Sequence, residues 1–187
     1  MTGPRPHTEP VVLYFAYGSN LWQPRLECRV GRVRALGVAH LPDYTLRWNK
    51  RSTDGSAKCD ITPAAGDEVI GVVYELDEGK IETLDRIEGV GAGYDRSDVR
   101  VELDGKMVTA CAYIATEVDD TLLPYDWYRH LVLAGARQHG LPAAYVARLG
   151  DQRFVIDPDE GRAAAQIAPS GQPSPITYTA DTPAADP

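Results

Sequence analysis

Cysteine is scarce in this chain: Cys28, Cys59 and Cys111 are its only three, an odd number at wide spacing. No CxxC, HExxH or Cys/His cluster accompanies them, which argues against a disulfide framework or a zinc site and for reduced, mostly buried structural thiols. Long apolar runs are missing as well. The longest, over 11–16 with its flanks, is far too short to span a bilayer and reads as a buried strand. The first ten residues carry no apolar stretch of the secretory kind, so the expected location is cytoplasmic. Basic residues are outnumbered, 19 Lys and Arg against 27 Asp and Glu, giving a formal net charge of -8. That balance repels a phosphate backbone, and no basic run is interleaved with aromatics, so nucleic acid is not an expected partner.

What is present describes an ordinary globular chain. Its 187 residues, 43% hydrophobic and 25% charged, suffice for one domain with a substantial core. A β-branched and aromatic run over 11–17, ended by Gly18, Ser19 and Asn20, predicts a buried strand entering a tight turn. Pro24 suits the first turn of a short helix that Gly31 ends. Residues 44–48 and 69–76 read as strands. Over 80–88 the apolar residues Ile81, Leu84 and Ile87 recur at helical spacing, and Gly89 stands where a left-handed C-cap is expected. Residues 94–103 and 107–115 alternate as two strands around the hairpin signal Asp104-Gly105. Residues 125–139 predict a helix stopped by Gly140 and Pro142, with another turn or two over 143–149. This order favours an α+β fold: a single domain with a mixed, mainly antiparallel sheet or small barrel and a few flanking helices. The expected layout is a flexible N-terminus over 1–10, the domain over 11–156, and a Pro/Ala-rich tail over 157–187, disordered and without a catalytic role.

Two features bear on chemistry. On a helical wheel Glu88 falls between Ile81 and Leu84, so its carboxyl group projects either from the apolar face or, at a frayed end, outward to solvent. In the first case it is costly to desolvate and sits at the negative end of the helix dipole, conditions that suit a general acid/base. The loop Tyr17-Gly18-Ser19-Asn20-Leu21 closes a buried strand, where successive backbone N–H groups form either an anion-binding nest or a plain turn. Ser19 lacks His and Asp partners in a nucleophile-activating context, and neither His7, His40, His130 nor His139 sits in one, which argues against a serine hydrolase. Trp22, Trp48 and Trp127 are core residues before they are pocket walls.

Together the segments resemble the γ-glutamylcyclotransferase family. The match runs from Tyr14-Phe15-Ala16-Tyr17-Gly18-Ser19-Asn20-Leu21 through Gly66-Asp67-Glu68-Val69, Gly71-Val72-Val73, Leu84-Asp85 and Glu88-Gly89-Val90 to Tyr128, Gly135-Ala136 and Gly140-Leu141-Pro142. The resemblance implies Glu88 as catalytic acid/base and the loop Tyr17, Gly18, Ser19, Asn20 and Leu21 as the cradle of the substrate's glutamyl end. It also implies Tyr94 and Tyr128 as pocket tyrosines, although the segment between Glu88 and Tyr94 is one residue shorter than the family pattern. The glutathione-specific branch, with Leu after Tyr-Gly-Ser, matches less well. The implied reaction converts a γ-glutamyl amino acid or amine to 5-oxoproline and the free amine, without metal or organic cofactor. The implied partner is a small γ-glutamyl substrate, and a homodimer is compatible with it. A specialised relative that removes a γ-glutamyl protecting group, and a non-catalytic module that binds a γ-glutamyl ligand, remain as alternatives.

Overall fold

In the computed structural model, which describes residues 11–167, the apolar run at the start of the chain becomes strand β1 (Val11–Ala16). A 3₁₀ turn (Ser19–Leu21) and helix α1 (Gln23–Val30, with Pro24 in its first turn and Gly31 at its end) follow. Two long strands, β2 (Arg34–Arg51) and β3 (Ala57–Asp77), form a hairpin. Helix α2 (Glu78–Glu88) opens on the side chain of Asp77, which accepts from the Lys80 amide at 2.9 Å. It closes at Gly89 (φ 68°, ψ 50°), a left-handed conformation that a side chain would strain. Strands β4 (Tyr94–Leu103) and β5 (Lys106–Ala115) turn at Asp104-Gly105, both at positive φ, as the sequence predicts. Helices α3 (Asp126–Gln138), α4 (Ala143–Gly150) and α5 (Glu160–Ile167) complete the described chain.

The strands close into a barrel in the order β1-β3-β2-β4-β5. All neighbours are antiparallel except the closure, where Tyr14 of β1 pairs in parallel with Cys111 of β5. The α+β reading with a small, mainly antiparallel barrel is therefore correct. Its core fills with Phe15, Leu41, Ile61, Val72, Tyr74 and Val101, backed by Leu26, Leu84 and Leu131 from the helices. Burial of such side chains contributes about 1.5–3 kcal/mol each, the main force holding the barrel shut.

Two sequence expectations change. First, the strands expected over 44–48 and 69–76 are parts of a much longer hairpin. Asp43 (φ 60°) is its bend: Pro42 pairs with Glu68 but Tyr44 with Pro63, so 64–67 bulge out, and the Gly66 amide donates to Asp43 Oδ1 at 2.9 Å. Below the bend, 34–42 pair with 68–75; beyond it, 44–51 and 57–63 continue as an arm that packs onto the domain, with Cys59, Asp60 and Ile61 buried. Second, the tail expected to be disordered from residue 157 is ordered at its start. Asp157 is buried, accepting from Trp127 Nε1 at 2.7 Å and pairing with Arg162 of α5. Those polar anchors replace the large apolar side chains whose absence suggested disorder. The expectations for 1–10 and 168–187 lie outside the described residues.

Candidate active site

Where β1 ends, the loop, one face of α1, the C-terminus of α2, the N-terminal end of α3, α5 and the tip of the hairpin arm surround a cavity of about 510 Å³. Glu88 lines it, its side chain 16% exposed. Of the two readings of the helical wheel, the inward one holds. Arg29 Nη1 reaches Glu88 Oε1 at 2.7 Å, and Asn20 Nδ2 donates to the same oxygen at 3.0 Å. Asn20 Oδ1 in turn accepts from Arg29 Nη1 at 3.0 Å, and Asn20 Nδ2 also reaches the Tyr14 hydroxyl at 3.0 Å. A closed ring of loop, α1 and α2 results, and it offsets the desolvation of the carboxylate. Both contacts fall on Oε1. The amide of Asn20 both accepts from Arg29 and donates to Glu88, whereas an aspartate there would set two carboxylates together.

The loop is a narrower cradle than expected. Its Leu21 and Trp22 amides are committed within the turn, to the carbonyls of Gly18 at 3.0 Å and Ser19 at 3.3 Å. An anion-binding nest, the alternative to a plain turn, would have only the amides ahead of Leu21 to use. Leu21 is fully buried under α3 and does not line the cavity, which corrects its assignment to the binding loop. Side-chain hydroxyl and amide are also engaged: Ser19 Oγ accepts from Arg25 Nε at 3.1 Å, and Asn20 is held by Glu88 and Arg29.

Tyr17, Tyr94 and Tyr128 all reach the cavity wall. Tyr17 donates to the Tyr113 carbonyl, Tyr94 donates to the Cys59 carbonyl at 2.9 Å, and Tyr128 accepts from the Cys59 amide at 3.0 Å. Burial, and then neighbouring acidic groups, raises the pKa of each well above its ordinary value, so they stay protonated. Burial likewise pushes the Cys59 thiol up to about 12, leaving it inert. Cys111 is buried too, while Cys28 is exposed, contrary to the general expectation for these thiols.

The sequence reading missed the cations. Arg25 and Arg29 stand one helical turn apart on α1, a spacing that places both on one face and is the signal that could have found them. Lys58 on the arm is held by Asp54 Oδ2 at 2.7 Å and sits 4.7 Å from the ring centre of Trp127 and 5.0 Å from that of Tyr128. Burial lowers its pKa, and Asp54 opposes that. Trp127 is thus core and wall at once, whereas Trp22 and Trp48 are not part of the lining. The histidines among the described residues also stay out of the lining: His40 pairs with Glu68, and His139 Nε2 meets the Tyr74 hydroxyl at 2.8 Å. Among the described residues no cluster of His, Cys, Asp and Glu has the makeup of a metal site, and no helix is long and apolar enough to cross a membrane.

Comparison with known proteins places this arrangement. Residues 68–149 match the AIG2-like family. The chain is 33% identical to the γ-glutamylcyclotransferase of Homo sapiens over 156 residues, spanning 80% of this chain and 81% of that one. It is 34% identical to the Mus musculus enzyme over 157 residues, spanning 79% and 80%. A solved γ-glutamyl cyclotransferase superposes with a TM-score of 0.74 at 30% identity, over 78% of this chain and 90% of that one. YkqA of Bacillus subtilis shares the fold, with a TM-score of 0.69 at 21% identity. By sequence over most of its length and by fold, this chain belongs to the γ-glutamylcyclotransferase family.

Proposed function

We propose that the protein is a γ-glutamylcyclotransferase in which Glu88 is the general acid/base. The observation that carries this reading is the pinned carboxyl group of Glu88, with Oε1 tied to Arg29 and Asn20, in the lining of a cavity that Gly18, Ser19 and Asn20 also line. The chemistry needs few parts, because nucleophile and electrophile belong to one molecule. The α-amine of a γ-glutamyl amide attacks its own γ-carbonyl carbon, and closure of a five-membered ring has a high effective molarity. Glu88 takes a proton from the α-ammonium and returns one to the departing nitrogen as the C–N bond breaks. Loop N–H groups hold the α-carboxylate or the developing oxyanion, and the tyrosine hydroxyls, kept protonated, wall the site. No cofactor enters this scheme. Free thiols at all three cysteines suit a reducing, cytoplasmic compartment.

Glu88→Gln keeps the shape of the side chain and loses the proton transfer, so 5-oxoproline release from γ-glutamyl-alanine should fall by about 10²–10⁴-fold or more while ligand binding persists. Wild-type turnover in that variant would rule the mechanism out. N-acetyl-γ-glutamyl-alanine, which has no free amine, should not react at all. Its cleavage to N-acetylglutamate at a comparable rate would make the protein a hydrolase that uses water.

A further inference from the structure

The charge balance inside the cavity singles out Arg25. Six basic side chains line it, Arg25, Arg29, Lys50, Arg51, Lys58 and Arg162, against the acids Asp54, Glu88 and Glu117, in a chain that is acidic as a whole. Three of the cations have a carboxylate to hold: Arg29 has Glu88, Lys58 has Asp54 and Arg162 has Asp157. Lys50 is half-buried over the Tyr94 ring and Arg51 is exposed, so water reaches both.

Arg25 is only 7% exposed, yet its hydrogen bonds among the described residues go to neutral oxygens. Nε donates to Ser19 Oγ at 3.1 Å. Nη1 and Nη2 donate to the backbone carbonyl of Gln166 at 3.2 Å and to its side-chain Oε1 at 3.0 Å. One residue thus offers two oxygens to two nitrogens of the guanidinium fork, which is how a carboxylate meets an arginine, but without the charge. A cation buried on neutral acceptors lacks the compensation an anion would give. Gln166 itself belongs to α5, an eight-residue helix anchored near its start through the Asp157–Arg162 pair.

We infer that Arg25 is a carboxylate-binding residue of the cavity and that Gln166 is its internal stand-in, displaced when a carboxylate of the substrate docks. The inference rests on the proposed γ-glutamyl chemistry. A γ-glutamyl amino acid brings two such groups, the α-carboxylate of the glutamyl unit and that of the leaving amino acid, and both present the same fork of oxygens. Docking and release of the last turn of α5 then become one event.

The test uses the full chain and three compounds: γ-glutamyl-alanine, the same dipeptide with its α-carboxylate amidated, and γ-glutamyl-alaninamide. KM is measured where there is turnover, and a calorimetric Kd where there is none. Complete absence of 5-oxoproline from the wild type would remove the proposed function, while the binding comparison would still decide the role of Arg25. Arg25→Gln should weaken γ-glutamyl-alanine by about 10- to 150-fold, the range of hydrogen bonds to a charged group. That penalty should vanish for whichever amidated compound lacks the carboxylate Arg25 holds. Gln166→Ala should tighten γ-glutamyl-alanine by about 2- to 12-fold, the range of a neutral hydrogen bond no longer competing. An equal penalty from Arg25→Gln on all three compounds would mean that Arg25 merely props Ser19, and would overturn the inference. If thermal melting shows Arg25→Gln unfolded, Gln166→Ala decides alone: tighter binding supports the inference, and unchanged or weaker binding overturns it.

Discussion

Gly135→Ala sets two forces of opposite sign against each other. Gly135 lies inside α3, where alanine in place of glycine would ordinarily gain about 1 kcal/mol of helix propensity. The structure predicts the reverse. A Cβ at position 135 would stand 2.3 Å from the Trp22 amide nitrogen, 2.4 Å from the Leu21 carbonyl carbon and 2.5 Å from Leu21 Cβ. Ordinary contact begins near 3.4 Å, so α3 and the loop must part by roughly an ångström, and the obstruction is mainly backbone that cannot rotate away. Overpacking of this kind costs about 1–3 kcal/mol, and a clash this close with backbone belongs at the upper end, so the net loss after the propensity gain is about 2 kcal/mol. For a chain of this length each kcal/mol is worth roughly 2–4 °C in Tm. The displaced segment carries Asn20, which holds Glu88, so kcat/KM should drop further, by up to about 10²-fold for a misplacement of that size. Gly79→Ala in α2 is the matched control: its nearest neighbour would be Asp77 Oδ1 at an ordinary 3.7 Å, so it should be neutral or slightly stabilising. Thermal melts and 5-oxoproline assays on both variants check the reasoning. A Gly135→Ala protein as stable and active as the wild type would refute it.

Ending the chain after Ile156 should lower Tm by several degrees, because Trp127 loses the acceptor Asp157 and about 1.5–3 kcal/mol with it; a melt identical to the full chain would contradict the docking of α5. Tyr128→Phe strands the buried Cys59 amide and should cost about 1–3 kcal/mol in urea titration, unless the amide finds another acceptor, which an unchanged midpoint would reveal. The hydrogen bonds and charge of Arg162 hold the Asp157 carboxyl well below the ordinary carboxylate range, so its stabilisation is complete above roughly pH 4 and is lost as pH falls toward the folded value. Asp157→Asn should therefore melt lower than the wild type at pH 7, with the gap closing below about pH 4; a gap independent of pH would point to packing instead.

What was legible in the sequence was what is written locally. Helix α2 shows itself through Ile81, Leu84 and the left-handed Gly89, and the β4–β5 hairpin through Asp104-Gly105, because a few neighbouring residues settle each. The same helical period left Glu88 either inward or outward, and its contacts with Arg29 and Asn20 decide for inward. The start of the long hairpin, 34–43, and its middle, 49–68, were opaque. Pro42, Pro63 and Gly66 cluster in the fold at a bend that pairing on either side tolerates, a long-range arrangement that no local pattern announces. Leu21 looked like loop because nothing near it announces Gly135, more than a hundred residues away, against which it packs. Arg25 and Arg29 went unread because their partners in α2 and α5 lie far along the chain. The order of α5 could not be read from its apolar content, because ion pairs and a tryptophan hydrogen bond hold its approach.

The arm of the β2–β3 hairpin has a consequence for how such a site can change over time. Lys50, Ser52, Asp54 and Lys58 reach the cavity from its tip, where the Ser52 amide donates to the Ser56 carbonyl at 3.1 Å. Glu88 and its ring belong to other segments entirely, α1, α2 and the loop after β1. The turn over 52–56 can therefore be rewritten, lengthened or shortened while the strand pairing and Glu88 stay in place. Diversity of ligands can accumulate in one short stretch of chain, and the reaction is inherited unchanged.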